Sequence, residues 1–286
     1  MFTNRPLYNS AGFIIKVLRY FQQKQDFKLR VIRNKKYQLK FKGKSFFEHK
    51  LSNDMRINLY NDSVLSKMIY DGFEKDELHF VSEVLKKGDI FIDIGSNVGL
   101  FSLIASRCVG SDGKIIAIEP TPTTYERLLE NIAINGITNI ESRNIGLSNE
   151  LGELNFYISD SGYDAWNSFV PSADNKLQKQ ISVNVSNLDH ELQHVDKAKI
   201  KLVKIDVEGW EKYVLKGGAS FFKNYSPIVM VEFTEENTYN AGYCARDIYD
   251  IMVLYGYDWY IFKEGKLRKE VKKVYYPHNN LIAIKK

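Results

Sequence analysis

The chain has 286 residues, with 40 Lys+Arg against 35 Asp+Glu, a formal charge of +5 and 44% hydrophobic residues. That length suits one large domain or two ordinary ones. The composition excludes a disordered chain, a collagen-like repeat and a disulfide-stapled miniature. Cys108 and Cys244 stand far apart and form no CxxC pair, so neither a zinc site nor a disulfide framework is expected. No apolar run reaches the roughly 18 residues a membrane span needs. Ala11–Tyr20, with Lys16 and Arg19 inside it, lacks the layout of a signal peptide. A cytoplasmic protein is the expectation.

Residues 1–72 read as an extension of helix and short strands. Its helix is amphipathic, with Phe13, Ile14, Val17, Leu18 and Phe21 at helical spacing. The basic stretch that follows, Lys24–Lys50, interleaves Phe27, Tyr37, Phe41, Phe46 and Phe47 with lysines and arginines. Cations between aromatics suit a nucleic-acid platform, but the same alternation suits strands with an apolar side to a core and lysines in water. The strand reading is preferred.

Residues 73–286 alternate helix and strand. Glu77–Leu85 is helical in pattern and Asp89–Ile94 is an apolar strand of the kind buried on both faces of a sheet. Leu100–Val109 and Thr123–Asn135 are the next helices, with strands at Lys114–Glu119 and Asn139–Ile145. Leu154–Ser159 and Ile181–Ser186 alternate with period two and form an inserted hairpin over about 152–187. Leu202–Asp206, Ile228–Phe233, Tyr257–Phe262 and Leu281–Ile284 read as further strands, with helices at Trp210–Leu215 and Ala245–Leu254. This order predicts an α/β sheet with right-handed crossovers.

The first strand of that domain runs into Gly95-Ser96-Asn97-Val98-Gly99 and then a helix. Glycines there permit a tight turn and close approach of a ligand, and the helix start offers free N–H donors. Asp93 precedes the turn and could meet a ligand ammonium. Glu119 ends the second strand 24 positions after Gly95, about the spacing at which a carboxylate grips ribose hydroxyls. The turn is not the G-x-G-x-x-G fingerprint, and no Walker A string occurs. A cofactor with ribose and adenine but no phosphate fits best, which points to S-adenosylmethionine. Asn144, after the third strand, is placed to reach an adenine edge.

These residues resemble a class I methyltransferase. With Lys204-Ile205-Asp206-Val207-Glu208-Gly209, Glu211, Leu215-Lys216-Gly217 and Asn280-Leu281-Ile282-Ala283-Ile284, the chain more narrowly resembles the FkbM family from about Glu74 onward. The resemblance implies a Rossmann-like, mainly parallel seven-stranded sheet with an antiparallel last strand. It also implies S-adenosylmethionine as donor and a hydroxyl acceptor on a sugar, glycan or glycosylated natural product. Asp164-Ala165-Trp166-Asn167-Ser168 is similar to a string in some members. Trp166 and Asn167 are candidate acceptor contacts, since rings beside amide groups suit a sugar face.

Asp206 and Glu232 end two further apolar strands. Two such carboxylates could hold Mg2+, which would lower the pKa of a coordinated hydroxyl. In the metal-free alternative Asp206 touches the methionine amino group or acts as base. Among five histidines, His278 beside the final strand is the best-placed base. Glu208 and Glu211 suit the first turn of a helix as readily as catalysis. Alternatives for the whole chain are a nucleic-acid methyltransferase and a non-catalytic S-adenosylmethionine-binding scaffold.

Overall fold

In a computed structural model of the protein the described residues are 7–52, 54–159, 167–171 and 178–286. The chain divides into two compact units, Met1–Phe47 and Glu48–Lys286.

The first unit is dominated by α1 (Leu7–Phe41). The basic stretch expected to form strands is therefore helical as far as Phe41. No Gly or Pro interrupts residues 13–42, and Lys, Arg, Gln and Leu are good helix formers, so nothing punctuates the run into strands. Tyr37 and Phe41, one turn apart, are buried. Their rings meet edge-on at 5.1 Å, and Phe41 meets Phe47 at 4.9 Å. The helix ends at Lys42 and Gly43, both left-handed. The side chains of Phe13, Ile14, Val17, Leu18 and Phe21 lie outside the described ones.

In the second unit, β1 (Phe46–Lys50), most of which belongs to that unit, pairs with β2 (Arg56–Tyr60). After β2 comes α2 (Val64–Asp71), capped by the Ser63 hydroxyl. Neither this helix nor its cap was expected from the sequence. The sequence-based boundary at residue 72 falls inside this compact unit. The backbone N–H of Asn58 donates to Asn131 and that of Arg56 to Asn135, each at 2.8 Å, which fastens β2 to α5 (Pro122–Ile134) and the residue that ends it.

The main sheet contains β3 (Ile90–Ile94), β4 (Lys114–Ile118), β5 (Ile140–Arg143), β9 (Ile200–Ile205), β10 (Ile228–Phe233), β11 (Tyr257–Lys263), β12 (Lys266–Lys269) and β13 (Asn279–Lys285). Its order is β12-β11-β13-β10-β9-β3-β4-β5. From β10 to β5 all pairings are parallel, and β13 runs antiparallel between β10 and β11. Seven of these strands reproduce the arrangement that the resemblance implied. The eighth, β12, is an addition: a tight turn at Glu264 and Gly265, both left-handed, folds it back on β11.

Period-two alternation sorts the strands between two cores. On one face Ile92, Ile94, Ile116, Val203, Ile205, Val229 and Val231 join α7 (Glu211–Gly217), α8 (Ala219–Asn224) and α10 (Arg246–Leu254). On the other, Phe91, Ile115, Leu202 and Met230 pack on α3 (Lys75–Val84) and α4 (Leu100–Val109). The insert is a second small sheet. In it β7 (Gly152–Ser159) pairs antiparallel with β8 (Gln178–Ser186), and β6 (Gly146–Leu147) adds in parallel.

Candidate active site

The site lies at the carboxyl ends of the parallel strands, where open α/β sheets place their ligands. The same alternation that sorts the cores also selects its charges. Asp93 is the register partner of Lys204, and Glu232 that of Asn280. All four stand on the α3/α4 face because each is two residues from Phe91, Leu202, Met230 or Ile282, which line that core. Asp206, two beyond Lys204, continues the row.

The turn after β3 is held by its backbone. Gly95 and Ser96 both donate N–H bonds to the Ile118 carbonyl at 3.0 Å. Gly95, Asn97 and Gly99 are left-handed, at φ of 77°, 48° and 91°. Asn97 tolerates this because its side-chain oxygen accepts the Val98 N–H at 2.8 Å. The Asn97 N–H donates to Glu119 Oε2 at 3.0 Å, and the Thr121 N–H donates to Oε1 at 2.9 Å. Burial pushes Glu119 up to about 7, against the pull of those N–H groups. The Asn144 amide is exposed and donates to the carbonyls of Glu119 and Pro120 at 2.8 and 3.1 Å. It thus fastens the Glu119 loop.

Two adjoining clefts share Gly95, Asn97, Asp206 and Glu208. The first is lined by Glu119 together with Ile94, Ile118, Leu147, Phe156 and Phe169. Asn167 also lines it; its side-chain oxygen accepts the Ser159 N–H at 3.0 Å. Trp166 lies outside the described residues. The second cleft is lined by Phe73, Glu74, Ser96, Phe101 and Lys204.

Glu74 was not suspected from the sequence. It sits in a left-handed linker before α3, and its Oε1 accepts from Asn280 Nδ2 at 3.1 Å. Its Oε2 is buried with no hydrogen-bond partner among the described residues. Burial raises Glu74 to about 8, opposed by the nearby Lys204. Lys204 is itself buried, crosses the Phe101 ring at 4.7 Å and meets Asp206 Oδ2 at 2.6 Å. Burial works against its charge, but Asp206, Glu74 and Asp93 outweigh that and raise its pKa. Asp93 is fully buried, accepts from the Ser102 hydroxyl at 2.6 Å and lines neither cleft. Burial raises its pKa.

At the rim, Asp206, Glu208 and Glu232 offer carboxylate oxygens within 4.8 Å of one another. Each already has a partner: Lys204 for Asp206, Asn237 Nδ2 at 2.6 Å for Glu208, and His278 Nδ1 at 3.2 Å for Glu232. This donor set fits magnesium poorly. A divalent ion would have to share Asp206 with the buried Lys204 ammonium, whose charge opposes it. Burial pushes Glu208 well up and raises Glu232 too. The Glu232 hydrogen bond raises the His278 imidazole above its usual range. Glu211 serves structure: its Oε1 accepts the N–H groups of Val207 and Gly209, each at 3.1 Å, shaping the Glu208 turn. The Ser168 hydroxyl donates to the Glu208 carbonyl at 2.7 Å and ties the insert to that turn.

Fold and site together define an α/β protein with two adjoining clefts at the carboxyl ends of its parallel strands. The sequence model described as "Methyltransferase FkbM domain" matches residues 93–259, more than half of the chain. The chain belongs to the FkbM family of methyltransferases and transfers methyl groups from S-adenosylmethionine. It is 27% identical over 203 residues to the hexuronic acid methyltransferase AglP of Haloferax volcanii, covering 70% of this chain and 72% of that protein. It is 28% identical over 193 residues to the methyltransferase sdnD of Sordaria araneosa, covering 57% and 73%. Among solved structures, an FkbM methyltransferase from Methylobacillus flagellatus aligns with a TM-score of 0.42 at 14% identity, over 77% of this chain and 54% of that one.

Proposed function

We propose that the protein is an O-methyltransferase acting on a hydroxyl of a sugar or sugar-containing acceptor. The adenosine end of the cofactor occupies the Glu119 cleft, with Glu119 on the ribose hydroxyls and Phe156 and Phe169 beside the base. The amino-acid end occupies the second cleft, its ammonium against Glu74 and its carboxylate toward Lys204 and the free N–H groups of α4. Asn167 then belongs with the nucleoside end. When bound, the cofactor supplies an electrophilic methyl on a sulfonium, so the chain's main task is to align the acceptor oxygen. Residues crowded with carboxylates suit a ligand carrying sulfonium and ammonium charges.

The observation that carries the reaction type is the Glu232–His278 contact, in which Glu232 neighbours Asp206 and Glu208, the two carboxylates that line both clefts. Glu232 holds one ring nitrogen, leaving the other to take the hydroxyl proton as the oxygen attacks, and stabilises the imidazolium formed. Support for a sugar comes from the hexuronic acid methyltransferase relative. No metal step is included, because Lys204 and His278 already counter the rim carboxylates.

The test is an assay of methyl transfer to hexuronic acid glycosides, with amines and RNA as competing acceptors. Transfer to the glycoside is expected, with kcat rising as pH passes the raised His278 pKa. His278→Gln should lower kcat about a hundred-fold without changing S-adenosylhomocysteine affinity. Transfer only to RNA or amines, or an unaltered kcat in His278→Gln, overturns the reading.

A further inference from the structure

We propose that α1 is a docking element for an anionic lipid bilayer surface. The helix runs for 35 residues, about 52 Å at 1.5 Å per residue. Between Lys24 and Lys44 nine Lys and Arg face one acidic residue, Asp26. Every residue from Phe27 to Lys36 is exposed. Exposed charge is ordinary on a solvated helix, but exposed aliphatics in such numbers are not. Leu29, Ile32 and Leu39 are 48%, 50% and 65% exposed, and Phe27 and Val31 are comparable.

Three of these five, Leu29, Ile32 and Leu39, share one side of the helix, while Phe27 and Val31 lie on the other. At about 100° per residue, positions 29, 32, 36 and 39 fall within an arc of about 80°. Lys28, Lys35 and Lys40 flank it. Tyr37 and Phe41, the buried pair, lie on the opposite side. The helix therefore buries Tyr37 and Phe41 on one side and exposes three aliphatics among lysines on the other. Lysine stems can lie along hydrocarbon while their ammonium groups reach phosphate level, as helices lying in the bilayer interface do.

Two other occupants fit less well. A second copy would need an apolar seam at 3.5-residue spacing. The register through Leu29, Ile32, Lys36 and Leu39 has that spacing, but it puts Gln25 and Lys36 on the seam of two helices that each carry a large excess of cations and repel. A nucleic acid would use exposed aromatics for stacking. Here the exposed aromatic of the segment is Phe27, with the Arg30 guanidinium 5.6 Å over its ring, and the remaining apolar groups are aliphatic.

The experiment is co-flotation of the full chain with phosphatidylcholine vesicles, with and without phosphatidylglycerol, beside retention on single-stranded RNA. Binding is expected to the anionic vesicles and not to the neutral ones, weakening with salt. Each basic residue at such a surface is worth about five-fold in binding. Lys35→Gln/Lys36→Gln/Lys40→Gln should therefore lose about a hundred-fold. Leu29→Ser/Ile32→Ser/Leu39→Ser keeps the charge and should still lose at least about ten-fold. Both variants should bind S-adenosylhomocysteine normally, which reports the folded catalytic unit. Failure of the wild type to float with anionic vesicles, retention on RNA alone, or unchanged flotation of the serine variant overturns the proposal.

Discussion

A Cβ added to Gly95 would lie 1.8 Å from the carbonyl oxygen of Asp206, so the turns that follow β3 and β9 touch at their backbones. The Asp206 N–H donates to the Ile94 carbonyl at 3.1 Å and locks the contact. The loop after β3 and the loop that carries Asp206 are thus one rigid object.

Gly95→Ala should therefore cost about 2 kcal/mol or more of stability, from left-handed strain plus the forced separation of the two turns. Binding of S-adenosylhomocysteine should fall at least ten-fold. Gly136→Ala is the control: it is also left-handed, but a Cβ there meets nothing within 4 Å. It should cost about 1 kcal/mol and leave calorimetric binding unchanged. Equal effects of the two variants would refute the backbone lock.

Glu74→Gln isolates the amino-acid end of the cofactor. A hydrogen bond to a charged group is worth about 1.5–3 kcal/mol, so S-adenosylhomocysteine affinity should drop about ten- to a hundred-fold. Affinity for 5′-methylthioadenosine, which lacks the amino-acid group, should be unaffected. A parallel loss for both ligands in calorimetry would place Glu74 outside the ammonium contact.

Stability should fall between acid and alkaline pH in the cofactor-free protein. Burial raises Glu119 to about 7 and Glu74 and Glu211 to about 8. Each then contributes stability that is whole below the unfolded value near 4.5 and is lost as pH climbs through the folded one. The raised His278 acts in the same direction. Thermal melts should show a Tm several degrees lower at pH 8.5 than at pH 6, with S-adenosylhomocysteine, which brings an ammonium, narrowing the gap. A flat or rising profile contradicts this charge arrangement.

Chelation offers a separate check. Since Lys204 already supplies a cation to Asp206, EDTA should leave turnover unchanged. Loss of activity that magnesium restores would show that the rim carboxylates recruit a metal despite Lys204.

The strands of the central sheet were legible because buried parallel strands such as Phe91-Ile92-Asp93-Ile94 and Val229-Met230-Val231 read as apolar runs in sequence. The turn from Gly95 to Gly99 and Glu119 was legible because its spacing is local to one strand–helix–strand unit. Glu74 was not, since it lies outside every motif and reaches the cleft only through the packing of α3. Lys204 stood inside a noticed string, yet a lysine in an apolar strand shows its purpose only when Asp93, Asp206 and Glu74 are seen around it. The basic segment of α1 was misread because lysines spaced by aromatics satisfy helix and strand alike. β12 was missed because Lys-Leu-Arg-Lys carries no apolar alternation, although Glu264-Gly265 is a turn signal in hindsight.

That extra strand bears on how copies of the protein behave at high concentration. The outermost ladder of a sheet is an open template on which a stranger's strand can lie. Here the template is written in Lys266, Arg268 and Lys269, all exposed, while β11 beneath it carries Tyr257 and Trp259 deep in the interior. By folding one short cationic strand over its aromatic neighbour, the chain turns a surface that could seed fibres into one that pushes its own kind away.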